Sequence, residues 1–189
     1  MLIPLRLSAQ TDEQLMQRAA RGSDRAFEEL YKRHARRLQG FFVRRLGGDG
    51  DLAADFMHDA FLRLYDARER YREGQNLRAW LYTIAYNLIK NHIRRPHPHP
   101  ISQGEGSEYI DEGTDVEVEL DEAVFHDALR EVLRRLPEEQ ALLFSLHYEE
   151  ELTIPQIAQI ADLPEGTVKS RLHKTMNIIK QQLKKYEDR

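Results

Sequence analysis

The chain has 189 residues, 41% of them hydrophobic, enough for one domain or two small ones with packed cores, which excludes a disordered chain. Its 28 Lys and Arg stand against 32 Asp and Glu, and it has no cysteine, so disulfides and thiolate zinc sites are excluded. That usage fits a reducing cytoplasm, which is the expected location. The formal charge of −4 is local: residues 96–125 hold nine acids and no Lys or Arg, while residues 1–50 carry ten basic side chains against six acidic.

The opening MLIPLRLSAQ is broken by Pro4 and Arg6 and does not read as a signal peptide. No 18-residue apolar stretch exists, so no membrane insertion is expected. Patterns of period 3.6 recur while strand signals are scarce, and the predicted fold class is all-α. The first four helices are expected over 12–21, 24–46, 51–68 and 76–94, punctuated by Gly22-Ser23 and Gly47-Gly48-Asp49-Gly50. In the second, Phe27, Leu30, Tyr31, His34, Leu38, Phe41 and Phe42 form the inner stripe. The third carries Phe56, Met57, Phe61, Leu64 and Tyr65 on more than one side, and surplus apolar surface on a small helical domain suggests a partner.

The fourth helix, NLRAWLYTIAYNLIKNHIRR, places Leu77, Trp80, Leu81, Ile84, Leu88 and His92 on an inner face, with Trp80 read as core. Tyr82, Tyr86, Asn87, Lys90, Asn91, Arg94 and Arg95 fall on other sides. Rings, amides and cations interleaved in this way suit a single strand, whose bases stack on aromatics and whose edges meet amides. For Tyr82 and Tyr86 strand contact and core packing both remain open. From Pro96 to about Glu119 the pattern dissolves into Pro, Gly, Ser and acids, which reads as a flexible acidic linker over 96–120. His92, His97 and His99 are close in sequence, but imidazoles in a proline-rich segment are poorly preorganised, and no metal site is predicted. No Walker loop, nucleophile elbow or HExxH motif is present, so neither an enzyme nor a cofactor is expected.

Helices resume over 121–136 and 137–149, giving two helical domains, 1–95 and 121–189. The segment TIPQIAQIADLPEGTVKSRLHK, Thr153 to Lys174, then reads as a helix-turn-helix. Thr153 and Gln156 make a capping box, Pro155 sits in the first turn, and Asp162-Leu163-Pro164 turns the chain. The second helix buries Val168, Leu172, Met176, Ile179 and Leu183. Between Gly166 and Lys185 it carries six cations and no acid (Lys169, Arg171, Lys174, Lys180, Lys184, Lys185), a face that attracts phosphate.

Three stretches in register, DLAADFMHDAFLRLY, LRAWLYTIAYN and LPEEQALLFSLHYEEELTIPQIAQIADLPEGTVKSRLHK, resemble the extracytoplasmic-function group of bacterial RNA polymerase sigma factors. The resemblance implies that the N-terminal domain corresponds to sigma region 2 and the C-terminal one to region 4. It implies that Asp55, Phe56, His58, Asp59 and Leu62 dock on the β′ clamp helices of core RNA polymerase. Tyr71, Asn76, Tyr82, Tyr86, Asn87, Lys90, Asn91 and Arg94 would hold the melted minus-ten strand, the loop from Tyr71 to Leu77 accepting a flipped base. Lys169, Ser170, His173 and Lys174 would face the minus-thirty-five duplex, with Arg171 on phosphate. Leu133, Leu136, Leu142, Leu143, Leu146 and Tyr148 would serve as core, as the surface for the β flap, or both.

The chain departs from the family pattern at His58-Asp59, where a glutamine-glutamate pair is usual, and at Pro164, where a serine often caps the recognition helix. The resemblance further implies control by an anti-sigma factor, no appended C-terminal sensory domain, and a linker whose acids imitate nucleic acid in a basic polymerase channel. The rival readings are an autonomous helix-turn-helix repressor or activator, and an adaptor that would not need the recognition-helix cations.

Overall fold

The computed structural model describes residues 7–94, 128–129 and 131–187. The linker assigned to 96–120, together with Arg95, His97, His99 and the expected helix start at 121, lies outside the described residues. Every regular element among the described residues is helical, and the chain divides into two compact units, Met1–Ser107 and Glu108–Arg189.

In the first unit, Thr11 opens α1 (Asp12–Ala20) with a capping box. Its Oγ1 accepts from the Gln14 N–H at 3.3 Å and its own N–H donates to Gln14 Oε1 at 3.0 Å, satisfying two end donors that the helix itself cannot. Ser23 caps α2 (Asp24–Arg45), and Asp49 caps α3 (Gly50–Asp66) by accepting from the Leu52 N–H at 2.9 Å. Between α2 and α3 the chain reverses through Gly47 (φ 71°) and Gly48 (φ 90°), conformations that a Cβ would strain. The α-helix of α3 ends two residues short of the expected 68, and a 3-10 turn follows over Arg68–Arg70. Asn76 accepts from the Ala79 N–H at 2.8 Å and so starts α4 (Leu77–Arg94).

The core of this unit is aromatic where α2, α3 and α4 meet. Leu30, Leu38, Phe41 and Phe42 of α2 are fully buried, as are Ala53 and Ala60 of α3. Phe41 meets Tyr82 of α4 edge-on, ring centroids 5.3 Å apart. The outer members of the α2 stripe are half-buried: Phe27 and Tyr31 pack on Phe61 at 6.2 and 4.7 Å. His34 instead gives Nε2 to Asp12 Oδ2 at 2.6 Å, and Arg33 joins the same carboxylate at 2.9 Å while donating to the Leu7, Ser8 and Gln10 carbonyls. This cluster ties the N-terminal segment to α2.

In the second unit, helical residues 131–135 precede α5 (Glu138–Phe144), which widens into a π turn over Ser145–Glu149 where one regular helix was expected. Gln156 Oε1 accepts from both the Thr153 N–H and its hydroxyl at 2.9 Å at the start of α6 (Ile154–Ala161). Asp162 turns the chain in the left-handed region (φ 54°), which a short polar side chain tolerates. The long α7 (Glu165–Glu187) then starts without a capping side chain; the Pro164 carbonyl accepts from Thr167 and Val168. Val168, Leu172, Ile179 and Leu183 are buried as expected, whereas Met176 is half-buried and Thr175 takes the remaining inner position. Leu133, Leu136, Leu142, Leu143 and Leu146 are all core, 8% exposed or less, and Tyr148 stands out at 47%.

Because Phe41 is wholly enclosed, Phe41→Ala is expected to destabilise the first unit by about 3–5 kcal/mol in chemical denaturation. The Asp12 carboxyl is held below its ordinary value of 3.8, chiefly by its hydrogen bond to His34 and then by the His34 and Arg33 charges, against the opposing effect of burial. A depressed carboxyl stabilises the fold above the unfolded pKa and loses that contribution as pH falls through the folded one. Asp12→Asn is therefore expected to flatten the melting-temperature profile below about pH 4; a mutant profile parallel to wild type would refute the linkage.

Candidate nucleic-acid interfaces

On α4 the buried positions are Leu77, Leu81, Tyr82, Ala85, Tyr86, Leu88 and Ile89. Leu77, Leu81 and Leu88 are inward as expected, whereas Trp80, Ile84 and His92 are only half-buried, so the buried arc is rotated toward Tyr82, Tyr86 and Ile89. Tyr82 and Tyr86, candidates for strand contact, are each 2% exposed and belong to the core. The Arg78 guanidinium lies 6.0 Å from the Tyr82 ring centroid and Lys90 Nζ 5.7 Å from that of Tyr86, so cations cover the outer edge of this core.

Trp80, read as core, instead lies half-buried on the solvent side. It stacks on Tyr71 at a centroid separation of 6.0 Å and 21° between planes, and the Tyr71 hydroxyl donates to the Gln75 carbonyl at 2.7 Å. Together with Ala67, Arg70, Arg72, Glu73, Gly74 and Gln75, Trp80 lines an open cleft of about 620 Å³. Gly74 holds φ 82° at its rim. From Trp80 the helical spacing leads through Asn87 and Asn91 to Arg94, with Lys90 alongside, all four of these exposed. One stripe thus joins an aromatic cleft bearing two arginines to a row of amides and cations. Asn76, exposed beside it, is engaged in capping α4. Arg72 belongs to the Tyr71 to Leu77 loop expected to accept a base, whereas Trp80 and Arg70 are additions from the structure, for which the series Trp80, Ile84, Asn87, Asn91, Arg94 carries part of the signal.

On α7, Lys169, Ser170, His173 and Lys174 are exposed along one face, opposite Val168, Leu172 and Ile179. Ser170 Oγ donates to the Thr167 carbonyl at 3.0 Å, and Asn177 Nδ2 lies 3.3 Å from His173 Nδ1. Arg171 differs from its neighbours: it is only partly exposed and pairs with Glu139 in the first turn of α5. Buried Thr175 bonds Gln140 at 3.4 Å beside it, so the start of α5 is moored to the middle of α7.

The third candidate face lies on α3. Asp55, His58 and Leu62 project to solvent at helical spacing, and Leu62 is 63% exposed, a large apolar group left uncovered. The His58 ring lies parallel to Tyr31 (2° between planes) with Nε2 3.2 Å from its hydroxyl. Asp59 is gripped by Arg63 through bonds of 2.8 and 3.0 Å. Phe56 does not join this surface: it is half-buried, edge-on to Phe42 at 5.5 Å and to His92 at 5.3 Å, and packs α3 against α2 and the end of α4. Among the described residues no cluster of His and carboxylates could hold a metal ion, and no helix is long and apolar enough to cross a membrane.

Comparison with known proteins matches residues 30–97 to Sigma-70 region 2 and residues 126–177 to Sigma-70 region 4. The ECF RNA polymerase sigma-E factor of Haemophilus influenzae is 30% identical over 183 residues, covering 92% of this chain and 95% of that protein. The RNA polymerase sigma-H factor of Pseudomonas aeruginosa is 29% identical over 182 residues, covering 92% and 94%. Two solved structures share the fold. CnrH, in complex with the cytosolic domain of CnrY, superposes with a TM-score of 0.65 at 21% identity, covering 92% of this chain and 97% of its own. The sigma factor RpoE, in complex with the anti-sigma factor NepR from Bartonella quintana, gives 0.62 at 20%, covering 84% and 96%. With regions 2 and 4 in order along one sequence and near end-to-end likeness to the Haemophilus influenzae factor, the chain belongs to the extracytoplasmic-function group of RNA polymerase sigma factors.

Proposed function

We propose that this sigma factor docks on core RNA polymerase through α3, holds the melted minus-ten strand along α4, and reads the minus-thirty-five duplex with α7. The observation that carries the reading is the stripe from the Trp80 cleft to Arg94. Stacking surface, two arginines, two amides and two further cations line one accessible path, as a strand with unpaired bases requires. Extracting a base costs a few kcal/mol, and stacking returns about 1–3 kcal/mol per base, so captured bases offset melting without ATP. In this assignment Trp80 takes the flipped base against its Tyr71-backed face, Arg70 and Arg72 neutralise phosphate, and Asn87 and Asn91 meet base edges.

Leu62, flanked by Asp55 and His58, supplies an apolar anchor for the β′ clamp helices, while Asp59 must exchange Arg63 for a polymerase cation. Lys169, Ser170, His173 and Lys174 face the major groove, where each good base contact discriminates by about 1–3 kcal/mol. Arg171 serves the packing of α5 on α7 in the free protein. Tyr148 is the exposed member of the flap-facing set. The fold shared with CnrH and RpoE, both solved with a bound partner, supports control by an anti-sigma factor.

Native gel shifts and run-off transcription test the reading. Specific promoter retention and transcripts are expected only with core polymerase present; tight specific binding by the chain alone would mark an autonomous repressor. Leu62→Asp, at a solvent position the fold does not use, is expected to weaken polymerase binding about tenfold. Trp80→Ala is expected to leave polymerase binding intact and to slow permanganate-detected promoter opening about tenfold, the loss of one stacked base; unchanged opening would remove Trp80 from the strand path.

A further inference from the structure

His173 is exposed on the outer face of α7, and its Nδ1 lies 3.3 Å from the side-chain amide nitrogen of Asn177, one turn further on. An amide nitrogen can only donate. With the amide nitrogen turned toward it, the facing ring nitrogen accepts, an arrangement that in a neutral imidazole goes with the proton on Nε2. The two nitrogens are chemically unlike, and Nδ1 is the one that lies against Asn177.

A ring that presents Nε2–H is a donor. In the major groove it can meet the acceptors at guanine N7 and O6, adenine N7 and thymine O4, but not the amino groups of cytosine or adenine. Lys169 and Lys174, beside it on the same face, also donate, but as flexible point charges they reach phosphates as readily as bases. A flat ring with one directed N–H is the more selective reader.

We propose that Asn177 is a positioning residue that locks His173 in the Nε2–H form, so that His173 donates to the N7 of one purine in the duplex element read by α7. This rests on the assignment of α7 to that duplex. Asn177 needs no contact with DNA for the effect. Its own hydrogen bond biases the ring toward one of the two tautomers that compete at the groove.

The test uses holoenzyme on a promoter mapped by run-off transcription, with 7-deazaguanine or 7-deazaadenine placed at one position of the minus-thirty-five element at a time. Wild type is expected to bind one of these duplexes about tenfold more weakly, since a single N7 is lost. In His173→Ala that penalty disappears, and in Asn177→Ala it falls severalfold while the melting temperature stays unchanged. Lys169→Ala weakens binding to all duplexes alike and keeps the penalty. A full penalty in Asn177→Ala, a penalty surviving in His173→Ala, or no N7 penalty in wild type overturns the inference. If Lys169→Ala, His173→Ala and Asn177→Ala all bind every duplex as wild type does, the assignment of α7 to the duplex falls as well.

Discussion

The edge-on contact between Phe41 of α2 and Tyr82 of α4 sets the rotation of α4 about its own axis. With Tyr82, Tyr86 and Ile89 turned inward beside Leu81, Ala85 and Leu88, the buried arc is full, and Trp80, Asn87, Asn91 and Arg94 have nowhere to go but outward. Burying two tyrosine rings removes far more apolar surface from water than burying the single tryptophan edge would. The functional stripe is thus the remainder of a packing solution. Its polar character is paired with a rigid backing that holds the amides in register.

Much of this organisation is legible in residue order alone. Gly22-Ser23 and Gly47 to Gly50 mark the breaks between helices, and Thr153 to Lys174 a helix-turn-helix, because turns and caps depend on neighbours a few residues away. The rotation of α4 is not legible in the same way. Trp80 and Ile84 continue one apolar series at helical spacing, and Tyr82, Tyr86 and Ile89 make another, while Leu77, Leu81 and Leu88 are inward in either case. Only the facing Phe41, forty-one residues distant, decides between them. Likewise the five inner leucines and Tyr148 share a pattern, and it is packing on α7 and its neighbours that separates core from surface.

The two units solve the problem of presenting a binding face differently. In the first, the face is a mosaic drawn from a loop and a helix, with Gly74 permitting a turn that a side chain would strain. In the second, α7 supplies both the proposed face and part of the core: its early turns carry the exposed lysines, while Ile179 and Leu183 further along complete the hydrophobic cluster with Val132, Leu136 and Phe144. A helix of 23 residues is about 35 Å long, and it is anchored along its length, by Val168 and Leu172 in its early turns and by Ile179 and Leu183 further on.

The ion pair between Arg171 and Glu139 bears on how salt would act on the duplex contact proposed for α7. A cation on a DNA-facing helix ordinarily releases a counterion when it meets phosphate, and each such contact steepens the fall of affinity with ionic strength by nearly one logarithmic unit. Glu139 already occupies Arg171, so moving it to phosphate would strand an acid close to the same backbone. Under the proposed assignment of α7 to a duplex, Arg171 would then add less to non-specific adhesion than the exposed Lys169 and Lys174. Under the same assignment, a free molecule would hold random DNA more loosely and be more readily captured by the polymerase.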